Sequence, residues 1–359
     1  TPEHAIRHHT TSGTSGRRPL AVLDSAKDWE WIAEMWCYAF HGFGVRPADT
    51  VFFAFGYGTF VGVWGAQYAC EKLGALVLPG GNIPTEARER MLVECDATVV
   101  CSTPTYALRM AQEARRLGID LPGSNVSKLI LSGEPAGSIP ATKALIEEQW
   151  GAKAGDTAGM TELGTVMMFE CDHQPGGAHI IEDHYIEEVV DPAGGEPVGY
   201  GEAGERVVTS FGRGIIPLVR YRTADLVTRV PASRCSCGRG FDLYEGGILG
   251  RVDDMKLVRG TNVYPRAVEG IVREFPGVEE FQLLLTREGH FDRIALRVEP
   301  APDVSDEAWA DMADRLAKAL AEAHEGLRFE VERATPGELP RFELKARRTV
   351  DRRDTPIGG

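Results

Sequence analysis

The chain has 359 residues, 43% of them hydrophobic, and its formal net charge at pH 7 is -14. This length predicts one large and one smaller domain, because single cores stop growing near about 250–300 residues. The negative charge opposes binding to nucleic acids and to anionic membranes. Since no apolar run reaches the roughly 18 residues of a membrane span and no signal-peptide pattern is visible, we expect a cytoplasmic enzyme.

Helix-like and strand-like segments alternate along the first 150 residues. The helix-like ones are 24–43, 62–73, 85–94, 105–117 and 140–150, and the strand-like ones are 51–55, 75–78, 97–101 and 126–131. This alternation favours an α/β fold with a parallel, doubly wound sheet, because each helix must cross back over the sheet between two strands.

The pattern changes after residue 159. Short strand-like runs at 185–190, 205–209 and 218–221 are separated by glycine- and proline-rich turns, which predicts a β-rich subdomain. Beyond residue 250 come a helix at 265–275, strands at 281–289 and 293–300, a helix at 305–323 and a strand at 327–333. We therefore predict a large domain at 1–250 and a small α+β domain at 251–359.

Hydroxyls and glycines are concentrated in the segment TTSGTSG at residues 10–16. Glycines let backbone N–H groups approach phosphate oxygens, and the hydroxyls donate further hydrogen bonds. The segment lacks the Gly-Lys-Ser/Thr of a Walker loop, and a string of this composition is more often a flexible linker. Taken alone, it leaves phosphate binding and a linker both open.

Five segments in order resemble the signatures of the adenylate-forming superfamily. They are TTSGTSGRRP, SGEP, GMTELG, VRYRTADL and GRVDDMKLVRGTNVYP. The residue patterns of FAFGYGTF, RYRTADL and DDMKLVRGTNVYP are most similar to those of phenylacetate-coenzyme A ligases, and the resemblance spans nearly the whole chain. It implies an ATP- and Mg²⁺-dependent enzyme that forms an acyl-adenylate, releases AMP and passes the acyl group of a small aromatic acid to coenzyme A.

Two alternatives to this function stay open. The acyl group could go to a carrier-protein phosphopantetheine or to an amine, or the chain could be a non-catalytic nucleotide-binding module. Family members usually carry an aromatic residue where this chain has Ala158, and they usually carry more residues before the phosphate loop. Either another side chain stacks on adenine or the nucleotide affinity is lower than usual, and whether the chain is truncated at its N-terminus stays open. A homodimer is left open.

The resemblance assigns roles to individual residues. Glu162 meets Mg²⁺ beside the triphosphate, Lys345 bridges the carboxylate and the α-phosphate, and Thr161 belongs with them as a catalytic residue. Asp225 takes the ribose hydroxyls, and Asp253 is the hinge about which the small domain rotates. The implied nucleotide contacts are Thr11, Ser12, Gly13, Thr14, Ser15, Gly16, Gly133, Glu134, Pro135, Ala158, Gly159, Met160, Asp225, Arg251, Asp253, Gly260 and Asn262.

The acyl pocket is expected where aromatic residues and glycines follow strand-like runs. The candidates are Phe55, Tyr57, Gly58, Phe60, Gly80 and Gly81. Aromatic walls with glycine gaps suit a flat ring, although each phenylalanine taken singly could equally be a core side chain.

Cys235 and Cys237 have a spacing that lets two thiolates reach one metal ion. Cys171 with either His173 or His179 would complete a tetrahedral set. Some ligases that the chain resembles carry such a site with histidine in a Gly-x-His context, which points to His179. We expect a structural zinc site of Cys171, His179, Cys235 and Cys237, and the alternative is four unlinked side chains.

Overall fold

The structure is a computed structural model that describes residues 2–11, 19–58, 61–173, 176–289, 291–342 and 346–353. The chain divides into two compact units, Thr1–Leu249 and Gly250–Gly359. Both units mix helices and strands, which confirms the predicted α/β class. Within the described ranges no helix is both long and apolar enough to cross a membrane.

The first unit begins with a β-hairpin and continues as a large sheet flanked by helices. Its strands are β1 (Ala5–Thr10), β2 (Ala21–Ser25), β3 (Thr50–Phe53), β4 (Leu76–Pro79), β5 (Val99–Ser102), β6 (Lys128–Ser132), β7 (Lys153–Gly159), β8 (Val166–Glu170), β9 (Gly177–Ile180), β10 (Tyr185–Val190), β11 (Ala203–Ser210), β12 (Tyr221–Val230) and β13 (Leu243–Glu245). Its helices are α1 (Ala26–Gly42), α2 (Val61–Leu73), α3 (Thr85–Glu94), α4 (Pro104–Leu117) and α5 (Pro140–Trp150), and short 3-10 turns span Pro2–His4, Pro135–Ser138 and Ala232–Arg234.

Five parallel strands form one half of the large sheet, in the order β4-β3-β5-β6-β7. Side chains alternate between its two faces: in β3, Val51 and Phe53 join the core beneath α1 and α2, whereas Phe52 joins the core beneath α4 and α5. Both faces are therefore buried, as expected for strands that are apolar throughout. The doubly wound sheet predicted from the β/α alternation is confirmed.

The other half of the sheet is antiparallel and continues from β7 in the order β8-β9-β13-β12-β11-β10. This half is the predicted β-rich subdomain. A strand predicted at residues 218–221 is wrong, because β12 begins only at Tyr221. Arg220 has a φ of +49°, which breaks the extended backbone just before that strand.

Helix α1 is fixed at its start and along one face. Ser25 accepts a hydrogen bond from the backbone N–H of Asp28, whose carboxylate accepts one from the backbone of Ser25. This reciprocal cap satisfies backbone donors that the first turn leaves free. Trp29, Ile32 and Trp36 recur at helical spacing and are buried against the sheet.

The second unit contains a four-stranded sheet in the order β19-β18-β17-β20. Its strands are β14 (Gly250–Arg251), β15 (Lys256–Val258), β16 (Thr261–Val263), β17 (Val278–Glu288), β18 (Phe291–Pro300), β19 (Glu330–Arg333) and β20 (Thr349–Asp351), and its helices are α6 (Pro265–Arg273) and α7 (Asp306–Ala323). Leu283, Leu296 and Leu316 belong to one core that joins this sheet to α7. The unit has its own core, as an α+β domain requires.

Candidate active site and metal cluster

The carboxyl ends of the parallel strands meet at one edge of the large sheet. From β3 the chain goes to β4 on one side and then to β5 on the other, so the strand order reverses at β3. Helix α2 packs on one face of the sheet and α4 on the other. Open α/β sheets bind ligands in the crevice outside such a reversal, which makes this edge the candidate active site.

Several residues predicted to bind nucleotide or acid follow these strands directly. Phe55, Tyr57 and Gly58 follow β3, Gly80 and Gly81 follow β4, Gly133, Glu134 and Pro135 follow β6, and Met160, Thr161 and Glu162 follow β7, which itself ends with Ala158 and Gly159. The topology thus brings these four segments to the same edge.

The predicted phosphate segment begins where β1 ends. The backbone N–H of Thr11 donates to the carbonyl of Leu20 (3.1 Å), and the hydroxyl of Thr11 accepts from the N–H of Leu20 (3.0 Å). These two bonds close the base of the connection between β1 and β2. Ser12, Gly13, Thr14, Ser15 and Gly16 lie outside the described residues.

The loop after β7 carries Thr161 and Glu162. Ala158 and Gly159 lie at a β-bulge against β8, and the loop is closed by bonds from Met160 N–H to the carbonyl of Thr165 (3.2 Å) and from Gly164 N–H to that of Thr161 (3.3 Å). Thr161 is buried and Glu162 is half-buried. Within the described residues no hydrogen bond or ion pair engages the carboxylate of Glu162.

Glu134 has a structural role within the first unit. Its Oε1 accepts a hydrogen bond from the backbone N–H of Thr105 (2.8 Å), in the first turn of α4. A carboxylate at this position also complements the helix dipole. This bond joins the segment after β6 to the start of α4.

Asp225 lies on β12 beside an irregularity in its pairing with β11. The register shifts between Glu205 and Val207 of β11, and Ala224 has a φ of +62°. Such bulges re-aim side chains and occur often beside active sites. Asp225 itself is buried and its backbone N–H donates to the hydroxyl of Thr223 (3.1 Å).

Four of the predicted nucleotide contacts belong to the second unit. The guanidinium of Arg251 donates to both carboxylate oxygens of Asp253 (2.8 and 2.9 Å), which lowers the pKa of Asp253. Gly260, with a φ of +90°, follows Arg259 in the tight turn between β15 and β16, where a side chain would be strained. Asn262 is exposed on β16.

Lys345 lies outside the described residues, but the chain on each side of it is anchored. Arg341 donates to the buried carboxylate of Glu299 (3.1 Å from Nη1 to Oε2). Arg348 donates to that of Glu280 (2.6 Å from Nε to Oε1). Two arginines thus tie this part of the chain to β17 and β18.

Aromatic side chains and glycines pack together after β3 and β4, in the segments predicted to line the acyl pocket. Tyr57 meets Trp64 edge-on (5.0 Å between ring centroids), and Trp64 Nε1 donates to the carbonyl of Gly58 (2.8 Å). A Cβ on Gly81 would lie 2.4 Å from the Tyr57 ring, so only glycine fits there. Burial raises the pKa of Tyr57, whose hydroxyl has no hydrogen-bond partner in the described structure. Phe60 lies outside the described residues.

A small apolar cavity lies behind Phe55, between α1, α2 and the sheet. Its volume is about 10 Å³, and Trp36, Phe55, Ala66, Cys101 and Ile130 line it. A space of this size holds no more than about one water molecule. The cavity is therefore too small to hold an aromatic ring.

A buried arginine that no sequence motif marks lies beneath the loop that carries Glu162. Arg213 donates to both oxygens of Asp24 and to the carbonyls of Thr161 and Glu162. Asp24 and Arg213 are 189 positions apart, and Arg213 lies between two glycines in a turn with no periodic pattern. No local signal in the sequence pairs these two residues.

A second group of side chains forms a compact cluster of metal-ligand type. One donor atom from each of Cys171, His179, Cys235 and Cys237 lies within 4.8 Å of all the others. His179 Nε2 lies 3.4 Å from Cys171 Sγ and 3.3 Å from Cys237 Sγ, and the Sγ atoms of Cys171 and Cys235 are 3.7 Å apart. Tetrahedral zinc places its sulfur and nitrogen ligands roughly 3.5–3.8 Å apart, so the donor set fits this ion.

The surroundings of the cluster also suit a metal. The ring of His179 is oriented by a 3.2 Å contact between Nδ1 and the carbonyl of Phe241, which leaves Nε2 facing the thiols. Burial lowers the pKa of His179 and so favours the neutral imidazole that binds metals. Of the two histidines considered, the cluster contains His179 and not His173.

Comparison with known proteins adds a second kind of evidence. The model of the AMP-binding enzyme C-terminal domain matches residues 260–353. A phenylacetate-coenzyme A ligase of Thermus thermophilus is 33% identical over an alignment of 369 positions, which covers 98% of this chain and 82% of that protein. The chain belongs to the phenylacetate-coenzyme A ligase family of adenylate-forming enzymes.

Solved structures of coenzyme A ligases are also similar to this chain. One is 2-hydroxyisobutyryl-CoA ligase in the postadenylation state with R3-HIB-AMP, which is 30% identical with a TM-score of 0.91 over 98% of this chain and 74% of that one. The same ligase with 2-HIB-AMP and CoA in the thioesterification state is 31% identical with a TM-score of 0.69, covering 99% and 75%. The phenylacetate-coenzyme A ligase family therefore has structural relatives that act on a non-aromatic acid.

Proposed function

We propose that the chain is an ATP-dependent, AMP-forming ligase that activates a carboxylic acid as an acyl-adenylate and transfers the acyl group to coenzyme A. The observation that carries this proposal is the position of Glu162. Its carboxylate lies in a loop after the last parallel strand, at the sheet edge that also carries the Gly133–Glu134–Pro135 and Tyr57–Gly58 segments. Family membership supplies the reaction class.

Each residue has its own proposed role in the first half-reaction, the formation of the acyl-adenylate. Glu162 would hold Mg²⁺, which as a hard cation neutralises charge on the triphosphate when bound. Asp225 would accept hydrogen bonds from the ribose hydroxyls, and the segment that begins at Thr11 would donate to the phosphates. The ammonium of Lys345 would offset repulsion between the acid carboxylate and the α-phosphate while the oxygen attacks phosphorus and pyrophosphate leaves.

The second half-reaction would need a different arrangement of the same chain. The thiol of coenzyme A attacks the acyl carbon, a thioester forms and AMP leaves. We propose that rotation about Asp253 withdraws Lys345 and admits the thiol, with the small unit as the moving part. The 2-hydroxyisobutyryl-CoA ligase has been solved in both postadenylation and thioesterification states, which supports two arrangements in such enzymes.

For the acid, we propose an aromatic ring stacked beside Tyr57. Gly81 packs against the ring of Tyr57, where a Cβ would lie 2.4 Å away, and Trp64 meets the same ring edge-on, so this region offers aromatic surface at the sheet edge. The competing choice is a small aliphatic hydroxy acid, since a 30% identical ligase is named for one. A carrier protein in place of coenzyme A is the alternative acceptor.

One screen tests the function. Purified protein is incubated with Mg²⁺ and ATP across a panel of phenylacetate, benzoate, 2-hydroxyisobutyrate and butyrate, with coenzyme A present or omitted. We expect AMP and pyrophosphate, with turnover only when coenzyme A is present and highest kcat/KM for an aryl acid. ADP as product would contradict adenylation, and a preference for 2-hydroxyisobutyrate would replace the aromatic assignment.

We also propose that Cys171, His179, Cys235 and Cys237 hold one structural zinc ion. Four protein ligands fill a tetrahedral shell and leave no position for substrate, so zinc there would stabilise the fold and not the reaction. Bound zinc would tie β8 and β9 to the segment before β13. The fit of four donor atoms within one ion's reach supports this proposal.

A further inference from the structure

The side chain of Arg213 is fully buried in the connection between β11 and β12. Its Nε donates to Oδ1 of Asp24 (2.7 Å) and its Nη2 to Oδ2 (3.0 Å), and neither side chain is exposed to solvent. A bidentate arginine–carboxylate pair fixes the plane of the guanidinium as well as its position. The third nitrogen, Nη1, is consequently aimed in one direction.

That direction is the loop after β7. Nη1 donates to the backbone carbonyls of Thr161 (2.5 Å) and Glu162 (3.0 Å). Because the carbonyls of two successive residues are held, the backbone of Glu162 is fixed, and with it the origin of its side chain. A charged donor in a buried setting makes these bonds stronger than ordinary loop contacts.

The same guanidinium reaches the strand that leaves the phosphate segment. Asp24 lies on β2, which follows residues 12–18 in the chain. This strand pairs with β1, which precedes them. One arginine therefore links the loop of Glu162 to the strand that follows the proposed phosphate segment. These parts have no sequence proximity, so their relative position depends on such a link.

Helix α1 contacts the residues on both sides of Arg213. Asp28 Oδ1 accepts from the backbone N–H of Gly214 (2.7 Å). A Cβ on Gly212 would lie 2.0 Å from the ring of Trp31, and the same ring lies 3.2 Å from the Cβ position of Gly164. The segment of Arg213 and the loop of Glu162 thus rest on one tryptophan, which restricts their movement.

We propose that Arg213 is a positioning residue for adenylation, holding Glu162 in register with the strand that leaves the phosphate segment. The inference rests on the proposed function. A residue with only a structural role would affect both half-reactions equally through the fraction of folded protein. A residue that positions Glu162 affects the step that uses Mg²⁺ and ATP and spares the step that starts from the acyl-adenylate.

The test compares Arg213→Lys with Arg229→Lys. Lysine keeps the charge, but its single nitrogen cannot bind a carboxylate at two points and two carbonyls at once. Arg229 is a matched control, because it also donates to carboxylates (Asp242, 2.8 Å; Glu182, 2.6 Å) and a backbone carbonyl (Glu187, 2.6 Å). Among the proposed nucleotide residues that the structure describes, it contacts none. Thermal unfolding of all variants is recorded first.

Pyrophosphate release from ATP and acid is measured against Mg²⁺ concentration, and thioester formation is measured from a synthetic acyl-adenylate. For Arg213→Lys we expect at least about a tenfold loss in the first rate, a higher Mg²⁺ requirement, and a second rate within about twofold of the unaltered enzyme. Asp24→Asn, which removes one charge of the pair that orients Arg213, should likewise lower the first rate and spare the second. Arg229→Lys should leave their ratio unchanged.

Equal losses in both half-reactions, or none in either, would overturn the positioning role while leaving the proposed function intact. An unaltered enzyme that releases no pyrophosphate with any acid would instead overturn the proposed function, and the positioning role with it. The half-reaction ratio therefore separates the two failures.

Discussion

Nε2 of His179 lies 3.3 Å from Sγ of Cys237, although 58 positions separate the two residues. The distance is close to the separation that one tetrahedral zinc ion gives to its nitrogen and sulfur ligands. The two residues reach each other because β9, which carries His179, pairs with β13, just beyond Cys237. The metal proposal follows from this pairing and leads to the first prediction.

We expect purified protein to contain one zinc ion per chain, and Cys237→Ser to lose it. Because metal binding contributes to folding, the variant should also unfold roughly 5–10 °C lower. Metal analysis by mass spectrometry and a thermal melt check both statements. Cys95→Ser, which alters an exposed cysteine outside the cluster, serves as the control. His173→Ala should keep its zinc, and zinc loss in that variant would refute the choice of His179.

The second prediction concerns Glu162, proposed to hold Mg²⁺. Glu162→Gln removes the negative charge but keeps the size of the side chain, so we expect adenylation to fall by about 10²-fold or more. Thioester formation from a supplied acyl-adenylate should continue at close to the normal rate. Glu148→Gln, an exposed glutamate on α5, is the matched control. Unchanged pyrophosphate release at limiting Mg²⁺ would remove Glu162 from the metal site.

The sequence predicted the elements that alternate along the chain, and its motifs assigned the candidate site segments to the ends of β3, β4, β6 and β7. It predicted α3 and α5 with their observed bounds because apolar spacing and proline starts mark them clearly. It failed at residues 218–221, where a left-handed Arg220 interrupts an apolar run that reads as a strand. Local propensity contains no information about that single backbone angle.

The contacts that hold the loop of Glu162 in place could not be predicted from the sequence, for a different reason. Asp24, Trp31 and Arg213 interact with the loop of Glu162 only because the sheet brings distant segments together. Their residue types are ordinary for a helix start and a turn, so neither pattern nor composition marks them. By contrast the grouping of Cys171, His179, Cys235 and Cys237 could be anticipated, because the CxC spacing marks two of the thiols and the family resemblance points to His179. Their role as metal ligands stays a prediction.

The third prediction concerns Glu89, a fully buried carboxyl on α3. Burial, and secondly the charge of Glu113, raises the pKa of Glu89 to about 8 from the ordinary 4.5. Neither of its oxygens has a hydrogen-bond partner within the described residues. The folded protein therefore keeps a proton that the unfolded chain releases above pH 4.5, so stability falls as the pH rises from about 4.5 to about 8.

Replacing this acid should remove that dependence. Glu89→Gln stays neutral, and we expect it to exceed the unaltered protein in unfolding free energy by roughly 2–4 kcal/mol at pH 8. The difference should shrink towards zero near pH 4.5. Urea unfolding at a series of pH values measures it, with Glu94→Gln, exposed on the same helix, as the control. A difference that does not depend on pH would show that Glu89 titrates normally.

The last prediction concerns Lys345, which family resemblance assigns to the first half-reaction alone. The segment on each side is anchored by Arg341 on Glu299 and Arg348 on Glu280, so substitution of the lysine should leave the fold of the small unit intact. Lys345→Ala should slow acyl-adenylate formation by about 10²-fold or more, because it deletes a positioned charge that stabilises the transition state.

A synthetic acyl-adenylate should still be converted to the thioester by this variant at a near-normal rate, since that step does not use the lysine. Lys318→Ala is the matched control, because Lys318 is an exposed lysine on α7 whose only ion pair in the described structure is with Glu322 at 3.9 Å. Single-turnover measurements of both half-reactions decide the matter. Loss of both half-reactions together would mean that Lys345 supports the fold of the small unit, and normal adenylation would mean that another cation offsets the repulsion between carboxylate and phosphate.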